Sequence, residues 1–531
     1  MSTLTRARKL RGAIAALAIL GSVPALAEVV YHRGNGGEPQ TLDQHQTSID
    51  VESNVLKDLY EGLVAYNMKG EVVPGAAASW AISNDGTVYT FKLRADGKWS
   101  NGDPVKASDF VFSLRRIMDP KTAAKYATLL YPINNSEKVN KGQAPVDSIG
   151  VKAVDDATLE IALERPTPYF LELLTHQTGL PLHQASVEKL GKDYVRPGNL
   201  VSNGAYKLAE HVPNGHIKLV KNPNYWGAKD VQIDTVMFYP TEDQAAAVRR
   251  FMAGELDTQY QFPTEQMGFL KEKLGKQVRV APYLSTYYYS VNTKKPPFDD
   301  VRVRRALALA IDREFLAEKI YAGAQVPAYS MVPPGMAGYT PANMDFQSMS
   351  QLDREDEAKK LLTEAGFGPD GKKLKIEIRY NTNENHRKVA TAIADMWKAL
   401  GIDVTLLNSD VKTHYAHLQN KGDFDVARAG WIADYADPQN FLYLGITGNA
   451  VGNYANYSSP EFDALVKKSD ETTDPKARAK LLQEAEAILM RDLPMIPLMY
   501  SASLHLVSDK VKGWEDNVQN EHRSQALRIE R

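Results

Sequence analysis

The sequence of 531 residues contains no cysteine. Without thiols the chain can form neither disulfides nor cysteine-ligated metal sites, and it offers no cysteine to carry a lipid anchor. After residue 27, no stretch reaches about 18 unbroken apolar residues, the length expected of a membrane-spanning helix. We therefore expect the chain beyond residue 27 to lack a direct membrane anchor.

An excess of positive charge is also missing. The chain has 63 lysine and arginine residues against 65 aspartate and glutamate residues, and its net charge is −2. Nucleic-acid-binding proteins usually carry a basic surplus or a basic stripe. Nucleic acid is therefore excluded as a partner, and the composition, 43% hydrophobic and 24% charged, is that of an ordinary globular protein.

The sequence lacks the common catalytic motifs of nucleotide-binding loops, zinc peptidases and serine hydrolases. Ser186 and Lys189 match a short S-x-x-K pattern, but they lie in a run that predicts a plain helical turn. His414 and His417 lie near Asp410, and a metal site would need more ligands at fixed spacing, so a solvated helical face is favoured. We predict that the protein is not an enzyme and uses no cofactor or metal.

The first 27 residues have the pattern of an export signal. An apolar run at 13–23 and the small residues Ala25 and Ala27 follow four basic residues, Arg6, Arg8, Lys9 and Arg11. This predicts cleavage before Glu28, whereas a membrane anchor, the alternative, would need a longer apolar run. Cleavage removes four basic and no acidic residues, which changes the net charge from −2 to −6.

The rest of the chain alternates strand and helix patterns. Residues 374–380 alternate apolar and polar side chains, residues 389–400 show helical spacing, and residues 402–406 return to the strand period after Gly401. A strand, a helix and a strand within about 30 residues indicate a βαβ unit and a parallel sheet. We predict an α/β chain of several domains.

Six longer segments occur in an order typical of one protein family. They are VPGAAASW at 73–80, DGTVYTFKLR at 85–94, KWSNGDPVKASDFV at 98–111, SNGAY at 202–206, NPNYW at 222–226 and PPFDDVRVRRAL at 296–307. Together they resemble the peptide-binding class (family 5) of solute-binding proteins of ABC transporters, within which oligopeptide-binding and murein-peptide-binding proteins are most similar. The resemblance covers about residues 34–511.

The resemblance implies a two-lobed clamshell of α/β lobes with mixed and parallel sheets and an extra inserted domain. The first lobe would consist of residues 28–60, 186–287 and 502–531. Residues 61–185 would form the inserted domain, and residues 288–501 the second lobe.

The segment at 425–438 is the most informative. Val426 and Ala427 are expected in a buried strand, Gly430 allows close approach, and Trp431 offers a flat wall. Asp434 follows the carboxyl end of that strand, where open parallel sheets collect ligands. From the residues alone, a helix N-cap or a turn at 434–438 is the favoured interpretation of Asp434. The resemblance implies instead an aspartate that binds the ligand.

In the resembling proteins this aspartate would neutralise the α-ammonium of an enclosed peptide, because a desolvated cation needs a counter-charge. The strand from Arg428 to Ile432, which includes Gly430 and Trp431, would pair with the peptide backbone as an added strand.

Three further contacts are implied by the resemblance. Tyr126 matches a tyrosine near the amino terminus of the ligand, and Arg428 and His386 match positions that meet ligand carboxylates. The alternatives are an ion pair of Arg428 with Asp425 or Asp437, and hydrogen-bonded, partly buried side chains for Tyr126 and His386.

The chain departs from the broad oligopeptide receptors at three places. Ser48 stands where a glutamate is expected, Val411 where a tryptophan is expected, and no arginine occurs near Gln419. These changes leave the peptide length and the side-chain preference open, and a specialised ligand such as a cell-wall peptide or an amino-acid conjugate is an alternative.

The resemblance implies a monomeric periplasmic receptor that delivers peptides to the permease and ATPase subunits of an importer in the inner membrane. A periplasmic chaperone or a signalling receptor with the same cleft is the alternative.

Overall fold

The structure is a computed structural model that describes residues 28–530 except 48–49, 242, 337, 369–370, 410 and 450–451, and except the side chains of Glu384, Val411 and Lys412. The predicted export signal, Ser48 and the side chain of Val411 lie outside the described part of the chain.

The strands of the described residues are short except for β12 and β17. They are β1 Val30–Gly34, β2 Val64–Tyr66, β3 Val72–Pro74, β4 Ala77–Ile82, β5 Val88–Leu93, β6 Val151–Asp155, β7 Thr158–Ala162, β8 Tyr206–Val212, β9 His216–Lys221, β10 Thr235–Tyr239, β11 Thr258–Tyr260, β12 Val278–Val291, β13 Gln325–Pro327, β14 Lys375–Asn381, β15 Asp403–Ser409, β16 Val426–Ile432, β17 Met495–Val507, β18 Val511–Lys512 and β19 Arg528–Ile529.

The helices alternate with these strands. They are α1 Asp50–Leu59, α2 Ala107–Met118, α3 Ser136–Asn140, α4 Phe170–Leu173, α5 Gln184–Leu190, α6 Gln244–Met252, α7 Met267–Leu274, α8 Val301–Leu309, α9 Arg313–Phe315, α10 Gln351–Glu364, α11 Glu384–Ala399, α12 Val411–Gln419, α13 Gln439–Leu442, α14 Pro460–Asp470 and α15 Pro475–Asp492. The S-x-x-K pattern lies within α5, as predicted.

One mixed sheet extends through the molecule in the order β15-β14-β16-β12-β17-β11-β1-β10-β9-β8. Strand β14 is parallel to β15 and β16, and β1 is parallel to β10 and β11, whereas β12 is antiparallel to β16 and β17. The long strands β12 and β17 therefore join two half-sheets that each contain parallel pairs, and β9 is antiparallel to β8 and β10, which confirms the α/β, mixed-sheet prediction.

The predicted βαβ unit is β14, α11 and β15, with Lys375 opposite Asp403 at the start of the parallel pair. Asn383 caps the start of helix α11, and its side chain accepts hydrogen bonds from the backbone of Asn385 and His386. The chain leaves the helix at Gly401, which has φ of +83°. This cap places His386 in the first turn of α11, at the carboxyl end of β14.

Two large hydrophobic cores lie on the two sides of the β12–β17 junction. One is built from residues between 284 and 499, and the other mainly from residues between 31 and 238 with a few from the last part of the chain. A separate four-stranded sheet, β4-β5-β7-β6, falls within residues 61–185. The domain boundaries given above stay predictions.

Candidate ligand-binding site

Strand β16 has one open edge. On one side it pairs with β12 over its whole length, from Val426 to Ile432. On the other side β14 pairs only with Val426 and Ala427, which are both fully buried, as predicted. Residues 428–432 have no strand partner on that side among the described residues, and the Ile432 side chain is 56% exposed. The backbone groups of Gly430 and Ile432 point to that side and are available for another strand, whereas the Arg428 carbonyl accepts a hydrogen bond from His414.

Asp434 lies just beyond this edge, in a cavity of about 380 Å³ that we call the first chamber. Tyr126, Tyr283 and Ile432 line the same chamber. No described residue forms a hydrogen bond or an ion pair with the Asp434 carboxylate, and burial raises its pKa to about 6. A partly desolvated carboxylate without a counter-charge favours a cation as its partner.

The alternative role of Asp434 as a helix cap is wrong. Helix α13 begins at Gln439, and the side chain that accepts a hydrogen bond from its backbone is Asp437, at 2.9 Å. Asp437 is also held by Arg478 through two hydrogen bonds of 2.6 and 2.8 Å. The turn at 434–438 is thus stabilised by Asp437, which leaves the Asp434 carboxylate unused by the fold.

Asn440 connects Trp431 on β16 to the backbone of Asp434. This role was not predicted from the sequence. Its Oδ1 accepts a 2.7 Å hydrogen bond from the Trp431 indole and a 3.3 Å hydrogen bond from the backbone N–H of Asp434. Asn440 is buried at the start of α13. No sequence signal marks it, because the contact joins a helix to the end of a strand.

Arg428 lies at the other end of the open edge, and neither predicted acidic partner contacts it. Asp425 pairs with Lys295 at 2.9 Å, and Asp437 pairs with Arg478. The guanidinium group of Arg428 donates instead to Asn381 at 3.1 Å and to the Tyr415 hydroxyl at 2.8 Å. The ion-pair alternative is therefore wrong.

The charge of Arg428 fits an anion. Its Nε is buried without a hydrogen-bond partner, and its guanidinium group stacks 4.7 Å from the centre of the Tyr287 ring. A Cβ atom at Gly430 would lie 3.3 Å from Arg428 Nη2, so the glycine leaves room for the guanidinium group. A buried cation with neutral neighbours and no described carboxylate favours an anionic partner.

Two histidines flank this arginine. The His386 ring centre lies 5.4 Å from that of Tyr287, its Nδ1 has no hydrogen-bond partner, and burial together with the nearby Arg428 charge lowers its pKa to about 3. His414 is fully buried and donates from Nε2 to the Arg428 carbonyl at 2.8 Å. The prediction that His414 lies on a solvated helical face is therefore wrong. No group of three or more metal-ligating side chains occurs in the described part of the chain.

Tyr126 comes from a distant part of the chain and lines the first chamber with Asp434. Its ring centre lies 5.4 Å from that of His176, and burial and the Asp434 charge raise the pKa of its hydroxyl. The structure thus brings Asp434, Ile432 and Tyr126 together at one end of the β16 edge and Arg428 and His386 at the other, with Gly430 and Trp431 between them.

Within residues 28–530, apart from the gaps given above, no helix combines the length and the apolar character needed to cross a bilayer.

The sequence matches a known family over most of its length. The profile described as bacterial extracellular solute-binding proteins, family 5 Middle, matches residues 71–453. The periplasmic oligopeptide-binding protein OppA of Escherichia coli (strain K12) is 39% identical over 528 residues, which cover 97% of this chain and 96% of that protein.

Solved structures are similar over the same extent. The periplasmic murein tripeptide-binding protein MppA in its unliganded open form has a TM-score of 0.88 at 40% identity, with 95% of this chain and 98% of that chain covered. OppA of Haemophilus influenzae in complex with RPPGFSPFR has a TM-score of 0.74 at 41% identity, with coverage of 95% and 99%. This chain is therefore more similar in shape to the open form than to the peptide complex.

Proposed function

The chain belongs to family 5 of the bacterial extracellular solute-binding proteins, and on that basis we propose that it is the periplasmic substrate-binding component of an ABC importer for peptides. It encloses a peptide between two lobes and delivers it to permease and ATPase subunits in the inner membrane, without catalysing a reaction. The export signal is removed before Glu28, and the protein acts as a monomer.

One observation carries this proposal: the two ends of the open β16 edge hold opposite charges that the described residues do not neutralise. A peptide is a zwitterion, and it brings an ammonium group for Asp434 and a carboxylate group for Arg428. Arginine suits a carboxylate because its planar fork bonds both oxygens. His386 and Tyr126 contact the carboxylate end and the ammonium end, respectively.

The peptide backbone lies along residues 428–432 as an added strand, antiparallel to β16. Main-chain hydrogen bonds between Gly430 and Ile432 and the cargo give affinity that does not depend on side chains, and Trp431 between them offers its ring. The seven residues from Arg428 to Asp434 span about 20 Å, in six steps of about 3.3 Å each. A cargo of about three to five residues fits this span when both termini are bound.

The proposal is tested by isothermal titration of the intact exported protein with Ala-Ala-Ala. We expect Asp434→Ala to weaken binding by about 2–5 kcal/mol, because the ammonium group is left enclosed without its partner. Asp425→Ala, which removes a carboxylate engaged by Lys295 outside the chamber, is the control and should bind as tightly as the native protein. Equal affinity for Ala-Ala-Ala in Asp434→Ala and in the native protein would contradict the proposal.

The alternative of a specialised conjugate receptor has support from one site. Where the resemblance predicts an arginine, this chain has the fully buried Leu418 and the exposed Gln419, so one expected positive charge is missing. A chaperone or a signalling receptor is a second alternative to the importer. Uptake of labelled peptides by a deletion strain separates these roles: loss of uptake supports the importer, and intact uptake supports a chaperone or a signalling receptor.

A further inference from the structure

A second chamber of about 540 Å³ adjoins the first. The two chambers share Ala436, Val518 and Gln519 in their walls, so they are contiguous. Two tyrosines lie between the chambers: Tyr169 lines the second and Tyr435 lines the first. Their rings are stacked, with centres 4.9 Å apart and planes that differ by 6°. The stacked tyrosines form a partial partition beside Asp434.

The wall of the second chamber is mainly apolar. It is formed in large part by Tyr89, Pro166, Pro168, Met336, Tyr339 and Leu482. The hydroxyl of Tyr339 donates to Glu486 at 2.7 Å, and that of Tyr89 donates to the Thr167 carbonyl at 3.2 Å. Because these polar atoms are already satisfied, the rings offer carbon surface to a ligand.

Two of the three charged side chains deep in the chamber neutralise each other. Arg478 and Asp437 form a two-bond ion pair, and their side chains are only 9% and 11% exposed. Glu172 accepts a hydrogen bond from the Tyr66 hydroxyl, and burial raises the pKa of its carboxyl group to about 7. Lys69, Glu71 and Lys476, the other charged residues of the wall, are exposed. An apolar group can therefore enter without separating the Arg478–Asp437 pair, and Glu172 keeps its hydrogen bond from Tyr66.

We propose that the second chamber receives the side chain of the first residue of the cargo and selects large apolar side chains, aromatic ones above all. The proposal rests on the proposed function, in which the α-ammonium group lies at Asp434. Two residues after Asp434, the protein residue Ala436 borders both chambers. The side chain of the first peptide residue is therefore the part of the peptide nearest to the second chamber. The volume suits a bulky group, since ligand pockets measure about 300–1,000 Å³.

The test is a titration series of tripeptides with Ala, Val, Leu, Phe or Trp at the first position followed by Ala-Ala. We expect affinity to rise about tenfold or more from Ala-Ala-Ala to Phe-Ala-Ala, as the apolar area buried increases. Ala-Ala-Phe, which carries the same ring at the third position, should gain clearly less. Equal affinity for Ala-Ala-Ala and Phe-Ala-Ala would overturn the inference.

A pair of matched variants on α15 assigns the effect to the chamber. Ala479 lines the second chamber, whereas Ala477 is exposed on the same helix outside it. Ala479→Phe should remove the advantage of Phe-Ala-Ala while Ala-Ala-Ala still binds, and Ala477→Phe should preserve it. Ala479→Leu replaces Ala479→Phe if the larger side chain prevents folding.

The outcomes separate the two proposals. An unchanged preference for Phe-Ala-Ala in the filled variant overturns the chamber assignment alone. Failure of every tripeptide to bind the native protein overturns the proposed function, and the inference with it.

Discussion

The acidic and the basic end of the β16 edge differ in how the protein supports the charge. At the acidic end, Asp434 has no described hydrogen-bond partner for its carboxylate, and its pKa is raised to about 6. At the basic end, Asn381 and the Tyr415 hydroxyl both accept from the Arg428 guanidinium group, which also stacks on Tyr287. The basic end is therefore held in place before a ligand arrives, whereas the acidic end depends on the ligand to compensate its charge.

This difference predicts that the two ends respond differently to substitution, to pH and to the loss of supporting residues. The basic end should contribute a fixed orientation. The acidic end should contribute a charge that destabilises the empty protein and strengthens the binding of the peptide.

The largest effect is expected at the basic end when its charge is removed. Arg428→Gln should weaken the binding of Ala-Ala-Ala by about 2–5 kcal/mol, because the enclosed carboxylate loses its counter-charge. The C-terminal amide of the same peptide should bind the native protein as weakly as Ala-Ala-Ala binds Arg428→Gln. Its affinity should fall little further in the variant, because it has no carboxylate. A titration cycle of two proteins and two peptides measures this coupling, and losses that simply add would contradict a contact between Arg428 and the carboxylate.

The next effect is the pH dependence of the acidic end. The bound ammonium group needs the ionised form of Asp434, so affinity should fall about tenfold per unit as pH drops below the pKa of about 6. In Asp434→Asn the affinity should be low and nearly independent of pH between 4 and 7. Titrations across this range test the prediction, and a native profile as flat as that of the variant would contradict it.

Stability without cargo should change in the opposite direction from binding. Because burial raises the pKa of Asp434 from 3.8 to about 6, ionisation opposes folding once the pH exceeds the unfolded-state value. Asp434→Asn should therefore increase the free energy of unfolding at pH 7 by about 3 kcal/mol, with the gain vanishing below about pH 4. Denaturant unfolding at the two pH values measures it.

Asp437→Asn is the matched control for that experiment. It removes one partner of the buried ion pair with Arg478, so it should lower the free energy of unfolding by about 3 kcal/mol or more. Destabilisation by Asp434→Asn at pH 7 would show that this carboxylate supports the fold after all.

The smallest effect is expected from Asn440→Ala. The substitution leaves the Trp431 indole and the Asp434 backbone N–H without their shared acceptor, so Ala-Ala-Ala should bind about tenfold more weakly. The tryptophan fluorescence of the empty protein should change as well. Unaltered affinity and fluorescence would show that Asn440 does not position the two residues.

Local patterns predicted much of the fold. The βαβ unit of β14, α11 and β15 follows from residue periodicity and from Gly401, and the burial of Val426 and Ala427 follows from their place in a short apolar strand. These features depend on neighbours within about 30 residues.

Long-range contacts decided what the sequence could not predict. Asp425 pairs with Lys295, and Asp437 pairs with Arg478, so neither carboxylate is available to Arg428. These ion pairs depend on how distant helices and loops pack. The burial of His414 depends in the same way on the docking of α12 against β14. The ligand-contacting roles of the site residues stay predictions from the resemblance, to be tested as described.

The most direct test of the central claim compares Ala-Ala-Ala with its N-acetylated form by titration against the native protein at pH 7. The acetyl group removes the ammonium charge and leaves the rest of the peptide in place. We predict that the acetylated peptide binds about 30-fold more weakly or worse, which corresponds to a loss of at least about 2 kcal/mol. Equal affinities would contradict the account, because Asp434 would then face no bound cation.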